Sequence, residues 1–155
     1  GVPGAQTAID RKKGFDDALA KAPGIGVLAS QPAQFRRAEG MMVMENLIQR
    51  FPQIDAVLCG NDEMALGAIE ALEAAGRLKN TLVAGFDGNS DAIKSINEGK
   101  LKVTLYQDPQ AQAGEAVRAL VKYLDGNRID KEIVVKGTVV TKGNIARFLD
   151  IYGLK

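Results

Sequence analysis

Two small polar clusters, each placed directly after an apolar strand-like run, hold the residues best suited to chemistry in this chain. The run Ile54–Cys59 is followed by Asn61, and the run Thr81–Phe86 is followed by Asp87. In an open parallel sheet, residues just past the carboxyl ends of the strands line the crevice where ligands bind. An amide and a carboxylate on one rim both donate and accept hydrogen bonds, which suits a neutral, hydroxyl-rich ligand.

The elements that must position these residues alternate between helical and strand-like patterns. Short continuous apolar runs are typical of strands buried on both faces, and strand–helix–strand repeats with short connections predict a parallel sheet. We therefore predict a doubly wound α/β fold. Its predicted helices are 5–21, 35–50, 62–75 and 90–97, and its predicted strands are 25–29, 54–59 and 81–86.

The pattern changes after Gly99. Residues 102–106 alternate polar and apolar side chains, as a half-exposed strand does. A helix is predicted for 110–124, followed by β-rich stretches at 132–135 and 138–140 and a short C-terminal helix. The alternating strand suggests an element that leaves the compact α/β unit, as a hinge between lobes would.

The composition excludes several classes of function. The chain has 155 residues, a formal net charge of +1, no histidine and one cysteine, Cys59. Without histidine there is no Ser-His-Asp or Cys-His mechanism, and no phosphate-binding glycine motif follows a strand. No apolar run approaches the roughly 20 residues that a membrane helix needs. We therefore expect a binding protein and no enzyme, with no cofactor, no metal, no nucleic-acid partner and no membrane insertion.

Several motifs resemble one family. They are RKKGFDDAL at 11–19, LASQPAQF at 28–35, CGNDEMALGAIEALEAAG at 59–76, VAGFDG at 83–88, INEGKLKVTLYQDP at 96–109 and VVTKGNI at 139–145. In this order the chain resembles the ribose-binding-protein-like group of type I periplasmic binding proteins, the sugar receptors of bacterial ABC importers. The resemblance implies a solute-binding receptor for a neutral monosaccharide, either a pentose, a hexose or a related polyol.

The resemblance also implies five ligand-binding residues. The family's arginine matches Arg11, its stacking aromatic matches Phe35, and its amide matches Asn61. Its carboxylate matches Asp87, and the glutamine of its hinge segment matches Gln107.

Four of these residues also have an ordinary structural reading. Arg11 could be a charge on a helix surface, and Phe35 could belong to the core. Asn61 could cap the following helix, and Asp87 could be a turn residue. The residues alone leave these alternatives open.

Members of the resembled family have two α/β lobes that close on the sugar, and this chain resembles the C-terminal lobe. The resemblance divides it into a sugar-binding unit at 1–100 without its first strand, a hinge strand and helix at 101–128 that belong with the other lobe, and return strands with a tail at 129–155. We expect the other lobe to come from a missing N-terminal segment or another chain. A sheet without an interior strand should also favour association, such as a homodimer.

The resemblance implies further partners and a location. The full-length protein would dock on an ABC-importer permease and would be periplasmic, or extracellular and lipid-anchored. A LacI-type transcriptional regulator shares the two-lobed core and is the main alternative. A flavodoxin-like protein rests on fold analogy alone.

Overall fold

A computed structural model describes residues 1–154 and shows one mixed sheet with helices packed around it. The sheet has the order β1-β2-β3-β4. The first three strands run parallel, and β4 runs antiparallel to β3. Their bounds are Ala56–Leu58 for β1, Leu82–Ala84 for β2, Val103–Tyr106 for β3 and Thr138–Thr141 for β4.

Six helices accompany the strands, and their positions confirm the helices predicted from the sequence. They are α1 (Gln6–Leu19), α2 (Arg37–Arg50), α3 (Asp62–Ala74), α4 (Ser90–Asn97), α5 (Pro109–Leu124) and α6 (Ile145–Tyr152). The order β1-α3-β2-α4-β3 is the strand–helix alternation that defines the α/β class. The predicted α/β class is therefore confirmed.

Local sequence explains where α3, α4 and α5 begin. Asn61, Asn89 and Asp108 precede them, and each side chain accepts a hydrogen bond from a backbone N–H of the first turn. Such caps satisfy donors that the helix itself leaves free. Because each of these helices follows a strand end, the same three residues lie at the carboxyl edge of the sheet.

The core is centred on α3, of whose 13 residues nine are buried. A helix that is apolar on most sides must be covered on most sides, and α3 packs on α2 as well as on β1 and β2. The contact between α2 and α3 is very close. A Cβ at Gly40 would lie 2.6 Å from the carbonyl oxygen of Met64, and one at Gly67 would overlap the carbonyl oxygen of Arg37.

Two stretches that the sequence marked as β-rich are not strands in the structure. Residues 25–29 and 132–135 carry no strand assignment, although both have apolar composition. Ile25, Val27 and Leu28 are 58%, 64% and 52% exposed. An extended segment becomes a strand only when a neighbour pairs with its backbone, and within residues 1–154 none does so here. The expected strand at 25–29 is therefore wrong for this chain.

Two helices leave apolar side chains in solvent. Neither α1 nor α5 has a buried residue. On α5 the exposed apolar side chains are Val117, Leu120, Val121, Tyr123 and Leu124. A contiguous patch of this kind is a surface that another element normally covers.

Ser95 in α4 offers a test of the packing. Its hydroxyl is buried and forms no hydrogen bond within the described residues. We expect Ser95→Ala to raise the free energy of unfolding by about 1 kcal/mol, because an unpaired hydroxyl leaves the core and alanine favours the helix. Urea denaturation would measure this change.

Thr81 provides the matched control, because its equally buried hydroxyl donates a 2.9 Å hydrogen bond to the carbonyl oxygen of Ile54. Thr81→Val should lower the free energy of unfolding by about 1–2 kcal/mol. Equal effects of the two substitutions would contradict the assignment of Ser95 as unpaired.

Candidate functional site

Asp87 lies where β2 and β3 end, in a backbone conformation that few residues adopt. Its φ is 126°, and the following Gly88 has a φ of 73°. The N–H of Asp87 donates to the carbonyl oxygen of Leu105, and the carbonyl oxygen of Asp87 accepts from the N–H of Gln107. The backbone of Asp87 is thus held between the two strand ends, which directs its side chain to the rim of the sheet.

The Asp87 carboxylate uses its two oxygens differently. Oδ1 accepts hydrogen bonds from Arg11 at 3.0 Å and from the amide of Gln107 at 2.6 Å. Oδ2 accepts no hydrogen bond within residues 1–154, and 32% of the side chain is exposed. Burial raises the pKa of Asp87, while the charge and hydrogen bonds of Arg11 and the amide of Gln107 oppose that rise. One oxygen therefore fixes the carboxylate, and the other remains available to a ligand.

Arg11 reaches the site from α1 and is largely buried. Its second terminal nitrogen donates a 2.7 Å hydrogen bond to the carbonyl oxygen of Gly60, just past β1. Its guanidinium lies 3.9 Å from the centre of the Phe86 ring and 5.8 Å from that of Phe35. A guanidinium stacked on aromatic faces and paired with a carboxylate is rigid. The surface-charge alternative for Arg11 is therefore wrong.

Asn61 is the N-cap of α3, which confirms its structural reading, and its ligand-binding role stays a prediction. Its Oδ1 accepts from the N–H of Met64 and caps α3, and its Nδ2 donates a 3.1 Å hydrogen bond to the carbonyl oxygen of Phe35. Asn61 is buried, so only part of its amide is open to the rim. The bond to Phe35 ties the loop before α2 to the end of β1.

Phe35 is half-buried and borders a cavity of about 360 Å³. The cavity is also lined by Arg11, Gly60, Leu58 and Met64. Its volume falls at the lower end of the range for small-molecule sites. Asn61, Asp87 and Gln107 do not line this cavity.

Backbone strain is concentrated at this edge of the sheet. Among the described residues, the four non-glycine residues with positive φ are Gln34, Phe35, Asp87 and Asp108. Phe35 and Asp87 are predicted ligand-binding residues. Each of the other two is adjacent in sequence to one, because Gln34 precedes Phe35 and Asp108 follows Gln107. Such conformations cost about 1–3 kcal/mol each and persist mainly where function requires them.

The structure therefore brings all five predicted residues into one connected set. Arg11 and Gln107 bond the same oxygen of Asp87, and Asn61 bonds the backbone of Phe35. The Arg11 guanidinium, which lies over the Phe35 ring, links these two groups. Whether they contact a ligand stays a prediction. Sequence reasoning missed the ring of Phe86 and the carbonyl of Gly60, although Phe86 stands directly before Asp87 and could have been noticed there.

Cys59 directly follows β1, next to Gly60, and is buried. Burial raises the pKa of its thiol to about 12. At pH 8 only about one thiol in ten thousand is then ionised, so we expect negligible reaction with a thiol-specific disulfide reagent over minutes. The same protein in concentrated guanidinium should react completely, and rapid reaction without denaturant would contradict the buried position of Cys59.

Within residues 1–154 no helix is both long enough and apolar enough to cross a membrane. Nor does this part of the chain bring together three or more side chains of the types that bind metal ions.

Comparison with known proteins identifies the family of the chain. Residues 1–128 match the model of the periplasmic binding protein domain. The chain belongs to this family of binding proteins.

Its relatives within the family are sugar receptors. It is 42% identical to the ribose import binding protein of Escherichia coli over 142 residues, which cover 92% of this chain and 47% of that protein. A solute-binding protein from Actinobacillus succinogenes with bound D-allose superposes with a TM-score of 0.92 at 33% identity, covering 95% of this chain and 51% of that one. One from Bacillus halodurans with bound myo-inositol gives 0.89 at 37% identity, covering 96% and 51%.

The chain thus spans about half the length of the relatives it matches. The comparisons lend no support to the transcriptional-regulator alternative.

Proposed function

We propose that this chain is one half of a receptor for a neutral monosaccharide or polyol. The observation that carries the proposal is the Asp87 carboxylate, whose Oδ1 is paired with Arg11 and Gln107 while Oδ2 stays open. The pairing with Arg11 neutralises the charge but leaves an acceptor for hydroxyl groups. Relatives that bind ribose, allose or myo-inositol support this ligand class.

Binding would need no covalent chemistry, and we infer that the protein is not an enzyme. Arg11, Asn61, Asp87 and Gln107 would orient the hydroxyl groups, and the Phe35 ring would cover the apolar face of the sugar. In the complete protein a second lobe would close over the ligand by hinge bending. The closed form would deliver the sugar to an ABC-importer permease, from the periplasm or from a lipid-anchored extracellular position.

The exposed face of α5 supports the division of the chain. The predicted boundary at residue 100 does not fit β3, which pairs with β2 and β4 in the sheet of this unit. We propose that residues 1–100 form the sugar-binding unit together with β3, that the helical part of residues 101–128 belongs with the other lobe, and that residues 129–155 return to the first unit. The second lobe would then cover Val117, Leu120 and Leu124, which are exposed here.

Isothermal titration calorimetry tests the proposed function. With the full-length protein we expect binding heat for at least one of D-ribose, D-allose and myo-inositol. This chain alone should bind these sugars weakly or undetectably, because about half of the clamp is absent. The proposal fails if the full-length protein gives no heat with a panel of common sugars, and micromolar binding by this chain alone would overturn the two-lobed clamp.

The open edge of β1 predicts self-association. Cys59 donates its N–H to Ala84 and Asp55 accepts from Leu82, so these residues face β2. Because successive residues of a strand face alternate edges, the backbone groups of Ala56 and Leu58 face away from β2, towards no strand within residues 1–154. We expect this chain to elute as a dimer or larger species in size-exclusion chromatography with light scattering, and a stable monomer at high concentration would contradict this.

A further inference from the structure

The turn that carries Asp87 needs support from outside itself. Asp87 and Gly88 both have positive φ, at 126° and 73°. A non-glycine residue does not hold such a conformation unaided. The side-chain direction of Asp87 therefore depends on groups that fix the next two backbone units, Gly88 and Asn89.

Asp62, the first residue of α3, supports this turn through hydrogen bonds. It is fully buried, and its Oδ2 accepts a 2.9 Å hydrogen bond from the N–H of Asn89. Its Oδ1 accepts a 2.6 Å hydrogen bond from the hydroxyl of Thr104. That hydroxyl in turn accepts a 3.2 Å hydrogen bond from the N–H of Gly88. Two consecutive backbone N–H groups of the turn thus lead to one buried carboxylate.

The surrounding sequence makes room for this carboxylate. A Cβ at Gly85 would overlap Asp62 Oδ1, so a side chain at that position would displace it. Asp62 also begins α3, and Asn89 caps α4, so the carboxylate lies near the starts of two helices. Helix starts favour negative charge, which offsets part of the cost of burying Asp62.

Tyr152, the last residue of α6, supports the same turn at the carbonyl group of Gly88. Its hydroxyl, at the end of α6, donates a 2.8 Å hydrogen bond to the carbonyl oxygen of Gly88. Thr104 and Tyr152 therefore hold the N–H and the C=O of the same residue. The α6 helix, about 60 residues further along the chain, is joined directly to the ligand-binding rim.

We propose that Asp62, Thr104 and Tyr152 are positioning residues that hold the Asp87 carboxylate in its sugar-binding orientation. The inference rests on the proposed function. None of the three side chains needs to touch the sugar. Burial raises the pKa of Asp62, and the hydrogen bonds from the Thr104 hydroxyl and the Asn89 N–H oppose that rise.

Thr104 gives the sharpest test in the full-length protein. Thr104→Val keeps the shape and removes the hydroxyl, whereas Thr104→Ser keeps the hydroxyl. We expect Thr104→Val to raise the Kd for the tightest-binding sugar among D-ribose, D-allose and myo-inositol about tenfold at 10 °C, and Thr104→Ser to restore most of the affinity. Tyr152→Phe should raise it about threefold.

A double-mutant cycle distinguishes positioning from general stability. If Thr104 acts through Asp87, Thr104→Val should change the Kd less than twofold in the Asp87→Asn background. A full tenfold effect in both backgrounds, or no effect in the wild-type background, would overturn the proposal. A merely structural role would lower the melting temperature equally without this coupling.

Amide hydrogen exchange keeps the inference testable if no sugar binds. Without ligand, Thr104→Val should accelerate amide exchange at Gly88 and Asn89 at least tenfold. The exchange rate of Ile96, in the last turn of the α4 helix that Asn89 caps, should change little. Unchanged exchange at Gly88 would overturn the positioning role. If the wild-type protein binds none of these sugars, that result would reject the proposed function and leave the positioning role to be decided by the exchange rates.

Discussion

Asp87→Asn in the full-length protein should raise the Kd for its sugar at least about 100-fold, which corresponds to about 3 kcal/mol. The substitution preserves the shape of the side chain. It removes the charge that Arg11 faces at 3.0 Å, and it replaces a carboxylate oxygen with an amide that donates. Arg11 is largely buried and would be left without its partner, which adds to the lost ligand contact.

Asp91→Asn is the matched control for this prediction. Asp91 also lies near the carboxyl edge of the sheet and pairs with an arginine, Arg37, at 3.0 Å, but about half of its side chain is exposed. Exposed ion pairs contribute about 0–1 kcal/mol, so the Kd should stay within about twofold of wild type. Calorimetry on both variants would decide, and a similar loss in both would remove Asp87 from the site.

Gly67→Ala should lower the free energy of unfolding by about 3 kcal/mol and the melting temperature by about 10 °C. The added methyl group would overlap the carbonyl oxygen of Arg37 and crowd the N–H of Met41, both of which are backbone atoms of α2. Backbone cannot rotate away as a side chain can. The α2 and α3 helices would have to separate, which would open their close contact in the core.

Gly14→Ala is the opposite case in α1. Apart from its chain neighbours and the backbone of α1 itself, no atom lies within 4 Å of a Cβ at Gly14, so the substitution adds helix propensity without a clash. It should raise the stability by about 1 kcal/mol. Thermal unfolding of the two variants side by side tests the packing, and a mild effect of Gly67→Ala would contradict the close helix contact.

The sequence predicted most helices correctly because residues close to each helix end determine where the helix begins and stops. The caps Asn61 and Asn89 and the terminating Gly76 and Gly99 mark helix ends within a residue or two. The prediction of a strand at 25–29 was wrong although the segment has the apolar pattern of a strand. A strand also needs a neighbouring segment that pairs with its backbone. No residue within that segment carries information about whether the neighbour is present.

The sequence predicted which residues come together at the candidate site, but it did not predict the hydrogen bonds between them. Asp87 and Asn61 follow strand ends, so topology placed them on one rim. That Arg11 would share Oδ1 with Gln107, or that Asp62 would reach Asn89, depends on residues 20 to 96 positions apart. Such contacts follow from the folded backbone, and neither motif spacing nor periodicity specifies them.

The Asx caps at the starts of α3, α4 and α5 have a consequence for how a ligand arrives. The two charged residues of the proposed site, Arg11 and Asp87, pair with each other, the Asp62 carboxylate is buried behind them, and further polarity comes from short-range dipoles at the helix starts. Such dipoles lose their influence within about one helical turn. Because the proposed ligand carries no net charge, it would be neither attracted nor repelled from a distance, and its rate of entry would be set by diffusion and shape and would be almost independent of ionic strength.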